Sequence, residues 1–392
     1  MRILILHNFY QQAGGEDVVV ANEHQLLVDH GHEVRLYSVS NDDIKGAWRK
    51  IQTAFQASYS AAARDGMRSE IAAFTPDIVH VHNFFPLLTP SIYDACREAG
   101  APIVQTLHNY RTICAGALLM RGGRLCEDCI GGSPYQAVLH GCYRDSRLGS
   151  FAVARMVDVH RRRGTWRTKV DRFIALTEFA KAKFVEASFP AEKITVKPNF
   201  VEATKSGEAE NTPRNGALFV GRLSHEKGIL TMLRTWSTIN APLRIAGDGP
   251  LHDTVVNADA KHVTCLGRKS PDEVAVEMER ASFLVFPSEW YEGFPMTLAE
   301  SFSHALPVIA SRLGSMAEIV EDGVTGLLFT PGDADDLAAK VRWAADHPDE
   351  MRRMGLNARK VYERKYTPEA NYRRLITIYE EAIAENRRST PT

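Results

Sequence analysis

Short, continuously apolar segments recur along this chain of 392 residues, and stretches of helical composition separate them. Early segments of this kind occupy residues 3–7, 33–39, 77–81 and 103–107, with helix-like stretches at 16–30 and 90–99. Strands that are apolar on both faces and alternate with helices are typical of a parallel sheet covered by crossover helices. The pattern therefore predicts a doubly wound α/β fold.

A chain of this length exceeds what one hydrophobic core usually serves, so two domains are expected. Residues 202–215 are polar and have the composition of a linker. After them, apolar segments return at 217–220, 243–246, 263–266, 283–287, 307–310 and 326–329. We expect two Rossmann-like domains that face each other across a cleft, residues 1–200 and 201–370. We also expect an insertion in the first domain at about 112–167. A terminal helix is expected at 371–392, and it could return to the first domain.

Composition narrows the class of protein. The chain is 44% hydrophobic and 24% charged with a formal net charge of −1, which argues against disorder and against nucleic-acid binding. No run approaches 18 apolar residues, so a membrane span is not expected. The first residues predict a buried strand rather than a secretory signal, which favours a cytoplasmic protein with reduced cysteines.

Two strand-to-helix turns have features of anion sites. Gly14 and Gly15 follow the first strand, where the backbone could approach a ligand at a helix N-terminus, or where a turn could need an unusual φ. Gly221 begins a second turn that carries Arg222 and Lys227, two cations suited to a diphosphate. A solvated basic turn is the alternative. The turn at 247–250, with Gly249, could contact a nucleotide or simply reverse the chain.

The stretch from 287 to 300 places two carboxylates eight residues apart, Glu292 in a loop and Glu300 in the helix that follows. These acids could accept hydrogen bonds from different hydroxyls of one ligand, and the backbone N–H groups around Gly293, Phe294 and Pro295 could hold an oxyanion. The alternative is a helix-capping acid and an unrelated buried glutamate.

His108 follows the strand at 103–107 and could be functional or structural with about equal weight. His80 and His82 alternate on the preceding strand and are interpreted as mainly structural.

Four cysteines lie within 29 residues of the insertion. A pair of cysteines separated by two residues, between two further cysteines, could hold a structural zinc ion or could pack as reduced thiols. The four are Cys114, Cys126, Cys129 and Cys142.

Residues 144–172 are rich in arginine and also carry apolar side chains. Such a basic amphipathic helix could contact an anionic membrane, or it could be a solvated helix that covers the sheet.

Together these motifs resemble the retaining, nucleotide-sugar-dependent glycosyltransferases of family four, which have the GT-B architecture. The resemblance covers nearly the whole chain. In chain order the motifs that carry it are Gly14-Gly15-Glu16, Gly31-His32-Glu33-Val34, residues 76–82, Lys197-Pro198-Asn199-Phe200-Val201, Gly221-Arg222-Leu223, Glu226-Lys227-Gly228, Gly247-Asp248-Gly249-Pro250, Glu292 with Glu300, and Pro331-Gly332-Asp333. Phe200 departs from the family's usual glycine in the linker, and Trp290-Tyr291 departs from its usual loop before the first glutamate.

The resemblance implies roles for these residues. Arg222 and Lys227 would hold the donor diphosphate, and Glu292 and Glu300 would bind the donor sugar and the ribose. His108 would contact the sugar near the reacting carbon. The implied partners are a UDP- or GDP-sugar and a saccharide or lipid-linked saccharide in exopolysaccharide, capsule or lipopolysaccharide synthesis. No cofactor is expected for catalysis, because protein cations meet the diphosphate charge.

Two other classes compete with this interpretation. A nicotinamide-dependent oxidoreductase would also have paired Rossmann domains, but no strand is followed by the G-x-G-x-x-G fingerprint. A non-catalytic nucleotide-sugar sensor could share the fold, although the retained cations and acids argue against it. Membrane contact, if it occurs, would place the enzyme at the inner face of the plasma membrane.

Overall fold

Two six-stranded parallel sheets form the framework of the protein in a computed structural model, which describes residues 1–11, 14–203, 214–258 and 261–389. The chain divides into two compact units. The first comprises Met1–Arg121, Leu125–Pro198 and Asn371–Thr392, and the second comprises Gly122–Arg124 and Asn199–Ala370.

Among the described residues before the linker, the chain forms eight strands and nine α-helices. The strands are β1 (Arg2–Phe9), β2 (Glu33–Ser40), β3 (Ile78–Asn83), β4 (Ile103–Leu107), β5 (Met120–Arg121), β6 (Arg124–Leu125), β7 (Arg172–Ala175) and β8 (Ile194–Val196). The helices are α1 (Gly15–Asp29), α2 (Gly46–Gln56), α3 (Ala61–Phe74), α4 (Ile92–Glu98), α5 (Asp128–Gly131), α6 (Gln136–His140), α7 (Arg147–Arg162), α8 (Thr165–Thr168) and α9 (Glu178–Glu186). The main sheet has the order β2-β1-β3-β4-β7-β8, and β5 and β6 form a separate two-stranded sheet.

The second unit repeats the strand–helix alternation. Its strands are β9 (Ala217–Val220), β10 (Leu243–Ala246), β11 (Val263–Gly267), β12 (Phe283–Phe286), β13 (Val308–Ser311) and β14 (Gly326–Phe329). Its helices are α10 (Ile229–Trp236), α11 (His252–Val256), α12 (Pro271–Arg280), α13 (Met296–Ser303), α14 (Gly314–Ile319), α15 (Ala334–Asp346) and α16 (Pro348–Lys365). The order β11-β10-β9-β12-β13-β14 is that of a dinucleotide-binding Rossmann sheet.

The last helix, α17 (Pro368–Ser389), supplies core to the first unit from Asn371 onward. Leu375, Ile378 and Tyr379 are fully or almost fully buried in a cluster with residues of β1, β3, β4 and β7. Residues from opposite ends of the chain therefore share one hydrophobic core.

The expected doubly wound α/β class is confirmed. One helix begins later than expected: α4 starts at Ile92 rather than at residue 90, because Thr89 has a φ of 57° and its hydroxyl contacts that of Ser91 at 2.8 Å. The sequence analysis also missed α2 and α3, which lie between β2 and β3. In the part of the chain that the structure describes, no helix combines the length and apolar character that a membrane span requires.

Candidate active site

The candidate donor site lies at the switch point of the second sheet. β9 and β12 are neighbours there, and the strand order reverses between them. Ligands of open α/β sheets bind outside the carboxyl ends of the strands at such a point. The turn after β9 carries Arg222 and Lys227, and the loop after β12 carries Glu292. Two segments about sixty residues apart in sequence are thus brought together by the sheet.

Lys227 and Glu292 form an ion pair in this site. The lysine Nζ lies 2.7 Å from Glu292 Oε1, and it also lies 5.6 Å and 5.5 Å from the ring centres of Phe286 and Trp290. The ammonium group therefore has one carboxylate oxygen and two aromatic faces around it.

The two oxygens of Glu292 have different surroundings. Oε1 also accepts hydrogen bonds from the Ser288 hydroxyl at 2.6 Å and from the Trp290 indole N–H at 2.8 Å. Oε2 has no hydrogen-bond partner among the described residues. The carboxylate is thus held through one oxygen, and the other is left to accept from a ligand hydroxyl. Trp290 departs from the usual loop of the resembled family, and its indole N–H here helps to hold the Glu292 carboxylate in place.

Arg222 differs from Lys227 in having no partner. Its side chain is exposed and makes no ion pair or side-chain hydrogen bond within the described ranges. An unpaired guanidinium beside a paired ammonium provides two cations within one turn, which is the arrangement that the sequence predicts for an anion site.

The turn is shaped by glycines with strict packing demands. Gly228 has a φ of 71°, and a Cβ atom there would overlap the carbonyl oxygen of Pro287. A Cβ on Gly249 would overlap the backbone of Leu223, which follows Arg222. These glycines let the turns after β9, β10 and β12 lie against one another, so Gly249 has a packing reason of its own.

The helix after Glu292 presents the second carboxylate. Pro295 precedes the first residue of α13, and burial raises the pKa of Glu300 on that helix. The Glu300 carboxyl makes no side-chain hydrogen bond in the described part of the chain. The backbone N–H groups of Gly293 and Phe294 likewise meet no acceptor there. Unused donors and an unused carboxyl thus lie within eight residues of Glu292.

The corresponding switch point of the first unit lies between β1 and β3. Gly14 has an extended φ of −123°, and a Cβ atom on Gly14 or Gly15 would meet nothing within 4 Å. Packing against the described residues does not require glycine at either position. This result removes the unusual-φ alternative for Gly14 and favours close approach of a ligand.

Glu16 is a residue that the sequence analysis did not single out by itself. Its Oε2 accepts hydrogen bonds from Tyr10 at 3.0 Å and Asn109 at 3.3 Å, while its Oε1 is buried without a partner among the described residues. Burial raises the pKa of Glu16 to about 8, so the carboxyl is mainly protonated at neutral pH. The signal that could have found it is its place directly after the glycine pair.

His108 ends a buried chain of polar groups. Its Nε2 lies 2.9 Å from His82 Nδ1, and His82 Nε2 lies 3.3 Å from Glu23 Oε1. Glu23 Oε2 pairs with the Lys197 ammonium at 2.8 Å, and both side chains are 1% exposed. Lys197 of the linker motif is thus the buried counter-charge of a glutamate on α1.

This chain of contacts assigns the protons. Burial raises the pKa of Glu23, but Lys197 and His80 outweigh it, so that pKa lies well below its usual range and the carboxylate only accepts. His82 Nε2 lies near the Glu23 carboxylate without meeting hydrogen-bond geometry, and the negative charge favours the tautomer that carries the proton on Nε2. The Nδ1 of His82 then accepts from His108 Nε2–H. Burial lowers the pKa of both histidines, that of His82 to about 3, so both rings are neutral. The remaining Nδ1 of His108 is consequently a hydrogen-bond acceptor.

Two clusters are candidates for metal. Glu23, His80 and His82 place ligand atoms within 4.8 Å of one another. The Lys197 ammonium already neutralises that glutamate, and His80 uses both ring nitrogens with Tyr379 and Thr106, each at 2.8 Å. These contacts occupy His80 and one oxygen of Glu23, whereas His82 Nε2 and Glu23 Oε1 are buried without a hydrogen-bond partner among the described residues.

The four clustered cysteines are free thiols near one another. Burial raises the pKa of Cys129 to about 12, and the other three thiols add to the rise. Among the described residues they do not form a group of three sulfurs that all lie within 4.8 Å. Zinc binding by these residues stays a prediction.

Comparisons with known proteins agree with this architecture. A family model described as glycosyl transferases group 1 matches residues 201–361, and one described as Glycosyltransferase Family 4 matches residues 13–205. An uncharacterized glycosyltransferase of Methanocaldococcus jannaschii is 36% identical over 171 residues, which are 43% of this chain and 48% of that protein. The chain therefore aligns with about half the length of this curated relative.

Two solved structures are similar over nearly the whole chain. Anabaena HepE in complex with UDP has a TM-score of 0.67 at 16% identity, over 97% of this chain and 100% of HepE. Sucrose-phosphate synthase from Thermosynechococcus elongatus has a TM-score of 0.72 at 17% identity, over 98% and 99% of the two chains. The two solved structures show that the fold is shared throughout. Because the two family models together match residues 13–361, the chain belongs to the group 1 glycosyltransferases, which have the GT-B fold.

Proposed function

We propose that this protein is a retaining glycosyltransferase that moves a sugar from a nucleotide-diphosphate donor to a saccharide or a lipid-linked saccharide. The observation that carries the proposal is the Lys227–Glu292 ion pair at the switch point of the second sheet, with Arg222 in the same turn as Lys227. The solved UDP complex of HepE supports a UDP-sugar as the first donor to test, with a GDP-sugar next.

In the proposed reaction the bond between the sugar's anomeric carbon and the diphosphate oxygen breaks. Arg222 and Lys227 stabilise the charge that develops on the departing diphosphate, which is an electrostatic contribution of the kind that often dominates catalysis. The acceptor hydroxyl oxygen attacks from the same face and transfers its proton to the leaving diphosphate oxygen. Protein cations meet the diphosphate charge, so we expect no cofactor in this step.

The other residues would orient the donor. Glu292 Oε2 would accept from a sugar hydroxyl and Glu300 from the ribose, while the N–H groups near Gly293, Phe294 and Pro295 would face donor oxygens. Gly14, Gly15 and Gly221 would let backbone approach the donor phosphates, and the His108 Nδ1 acceptor would take a hydrogen bond from a sugar hydroxyl. We propose an acceptor of the kind assembled into exopolysaccharide, capsule or lipopolysaccharide.

The test is a panel of UDP-, GDP-, ADP- and dTDP-sugars, scored by thermal shift and by slow donor hydrolysis. Arg222→Ala is the sharper variant because this side chain makes no ion pair or hydrogen bond with the described residues, so the fold should be unaffected. We expect its nucleoside-diphosphate affinity to fall about ten-fold or more, the loss typical of a charge-assisted hydrogen bond.

Lys227→Ala should weaken nucleoside-diphosphate binding at least as much, but it also leaves Glu292 without its cation. Lys269→Ala is the matched control, since Lys269 pairs with Glu273 on the surface of the same unit. Unchanged UDP and GDP affinity in both the Arg222 and Lys227 variants would refute the assigned site. Binding without any donor hydrolysis or transfer would instead indicate a nucleotide-sugar sensor.

A further inference from the structure

One face of α2 carries large apolar side chains that nothing in the first unit covers. Trp48, Ile51 and Phe55 follow one another at spacings of three and four residues, which places them on the same side of the helix. Their exposed fractions are 79%, 49% and 74%. Single exposed apolar residues are ordinary, but three on one short helix face form a patch.

The patch continues onto the first half of α7. Leu148 is 84% exposed, and Phe151, one turn later, is 48% exposed. The two helices border a common cavity of about 410 Å³, to which Ile51 contributes from α2 and Leu148 from α7. Phe85 and Val153 lie deeper in the lining of this cavity. Ile51 and Leu148 therefore lie on one surface with an apolar groove. This surface, together with Trp48 and Phe55 on the same side of α2 as Ile51, is here named the α2–α7 face.

The charges around the α2–α7 face are mainly positive. Five exposed cations border it, and within the described residues none of them forms an ion pair. They are Lys45, Arg49, Lys50, Arg144 and Arg147. The acidic neighbours are Asp42, Asp43 and Asp145, all outside the two helices, and α2 itself contains no acid.

The second half of α7 has a different character. Arg161 donates hydrogen bonds to the carbonyl oxygens of Gly132 and Cys129, both at 2.8 Å, and Arg162 pairs with Asp158. The arginine run that suggested membrane contact in the sequence is thus partly engaged within the unit. The exposed cations without ion pairs among the described residues lie instead near the start of α7 and on or beside α2.

We propose that the α2–α7 face docks on an anionic lipid surface, with Trp48, Phe55 and Leu148 among the headgroups and the cations toward lipid phosphates. Exposed apolar side chains flanked by unpaired cations are complementary to such a surface, and tryptophan is favoured at the boundary between water and lipid. The proposal does not depend on the donor assignment. If the proposed function is right, docking on the membrane would bring the protein to a lipid-linked acceptor.

The experiment measures sedimentation of the full chain with vesicles of phosphatidylcholine alone and of phosphatidylcholine with about 30% phosphatidylglycerol. We expect binding to the anionic vesicles that falls steeply when salt is raised to about 0.5 M, because exposed charges are then screened. Binding to the neutral vesicles should be weaker by about ten-fold or more.

The variant is Trp48→Ser combined with Phe55→Ser, and both side chains are exposed, so thermal stability and donor hydrolysis in solution should stay unchanged. Its affinity for anionic vesicles should fall about ten-fold or more. Leu356→Ser is the control, since Leu356 is an exposed apolar residue of the second unit at 55% exposure.

Three results would overturn the proposal. The first is an absence of binding to anionic vesicles at low salt, and the second is equal binding by the wild type and the double variant. The third is a concentration-dependent dimer that the double variant abolishes, without lipid binding by the wild type, which would show that a second copy covers the face. Loss of donor hydrolysis with intact vesicle binding would count against the proposed function alone.

Discussion

Protonation of the histidines inside the first unit is set mainly by burial. Burial lowers the pKa of His7, His82 and His108, although Asp17 and Glu23 nearby act in the opposite direction. These rings fold in their neutral form, whereas in the unfolded chain they take up a proton near pH 6.5. Their contribution to stability is therefore complete above pH 6.5 and is lost progressively as pH falls below it.

The expected result is a melting temperature that falls between about pH 6.5 and about pH 5. Each such histidine costs up to about 1.4 kcal/mol per pH unit in this window. Glu16, whose pKa is raised to about 8, acts oppositely and offsets about one histidine. Melting followed by circular dichroism across this range measures the sum.

His82→Asn separates the histidine contribution from the rest of the chain. This variant should be less stable at pH 8, because it loses the contacts with Glu23 and His108, but its stability should depend less on pH below 6.5. His24→Asn is a comparison variant at a position outside this network. A wild-type melting temperature that stays flat down to pH 5, or a His82 variant with an unchanged slope, would contradict the assignment of neutral rings.

Among the structural elements, the insertion between β4 and β7 is the one whose role the sequence pattern left most open, between zinc binding and packing as reduced thiols. Its short hairpin and its small helices α5 and α6 have little regular structure of their own, and they carry the four clustered thiols. Zinc bound by four thiolates has Zn–S distances of about 2.3 Å, so its sulfurs lie closer together than these do. Metal binding would have to draw the thiols inward and remove their protons.

Metal analysis of protein purified without chelator tests this element. If the cysteines hold zinc, we expect about one ion per chain, and Cys126→Ser combined with Cys129→Ser should remove it and lower the melting temperature. Cys96→Ser is the control, because that buried thiol lies on α4, outside the cluster. Much less than one ion per chain with an intact fold would establish that these residues pack as reduced thiols.

For the molecule as a whole, the return of the chain in α17 ties the last residues to the stability of the first unit. Leu375→Ala should lower the free energy of unfolding of that unit by about 2–5 kcal/mol, since it deletes a fully buried side chain from a packed core. Urea unfolding followed by circular dichroism is the measurement. Glu380→Ala, an exposed position on the same helix, should change little, and equal effects of the two variants would show that α17 does not stabilise this unit.

The strands and the turns after them were open to prediction from local pattern. The segments at 103–107, 217–220, 243–246 and 326–329 coincide with β4, β9, β10 and β14, because a fully buried parallel strand shows itself as a short apolar run between polar turns. Arg222 and Lys227 were placed in the correct turn for the same reason. Helix α2 was not predicted, because its large apolar side chains Trp48, Ile51 and Phe55 are exposed and do not mark a face toward the core. Helix α3 was not predicted either, although Met67, Ile71 and Phe74 follow the periodicity of a buried helix face.

The sequence alone was thus enough to predict the α/β class, the strand positions and the candidate donor cations. Each of these features depends on residues only a few positions apart along the chain. The partners of those residues depended on the packed sheets. The pairing of Lys227 with Glu292, the proton arrangement from Lys197 through Glu23 to His108, and the single face shared by α2 and α7 join segments far apart in sequence. Which side chains meet across such separations is set by strand order and burial, because a carboxylate or an imidazole takes its protonation and its partners from whatever the fold places within hydrogen-bond distance.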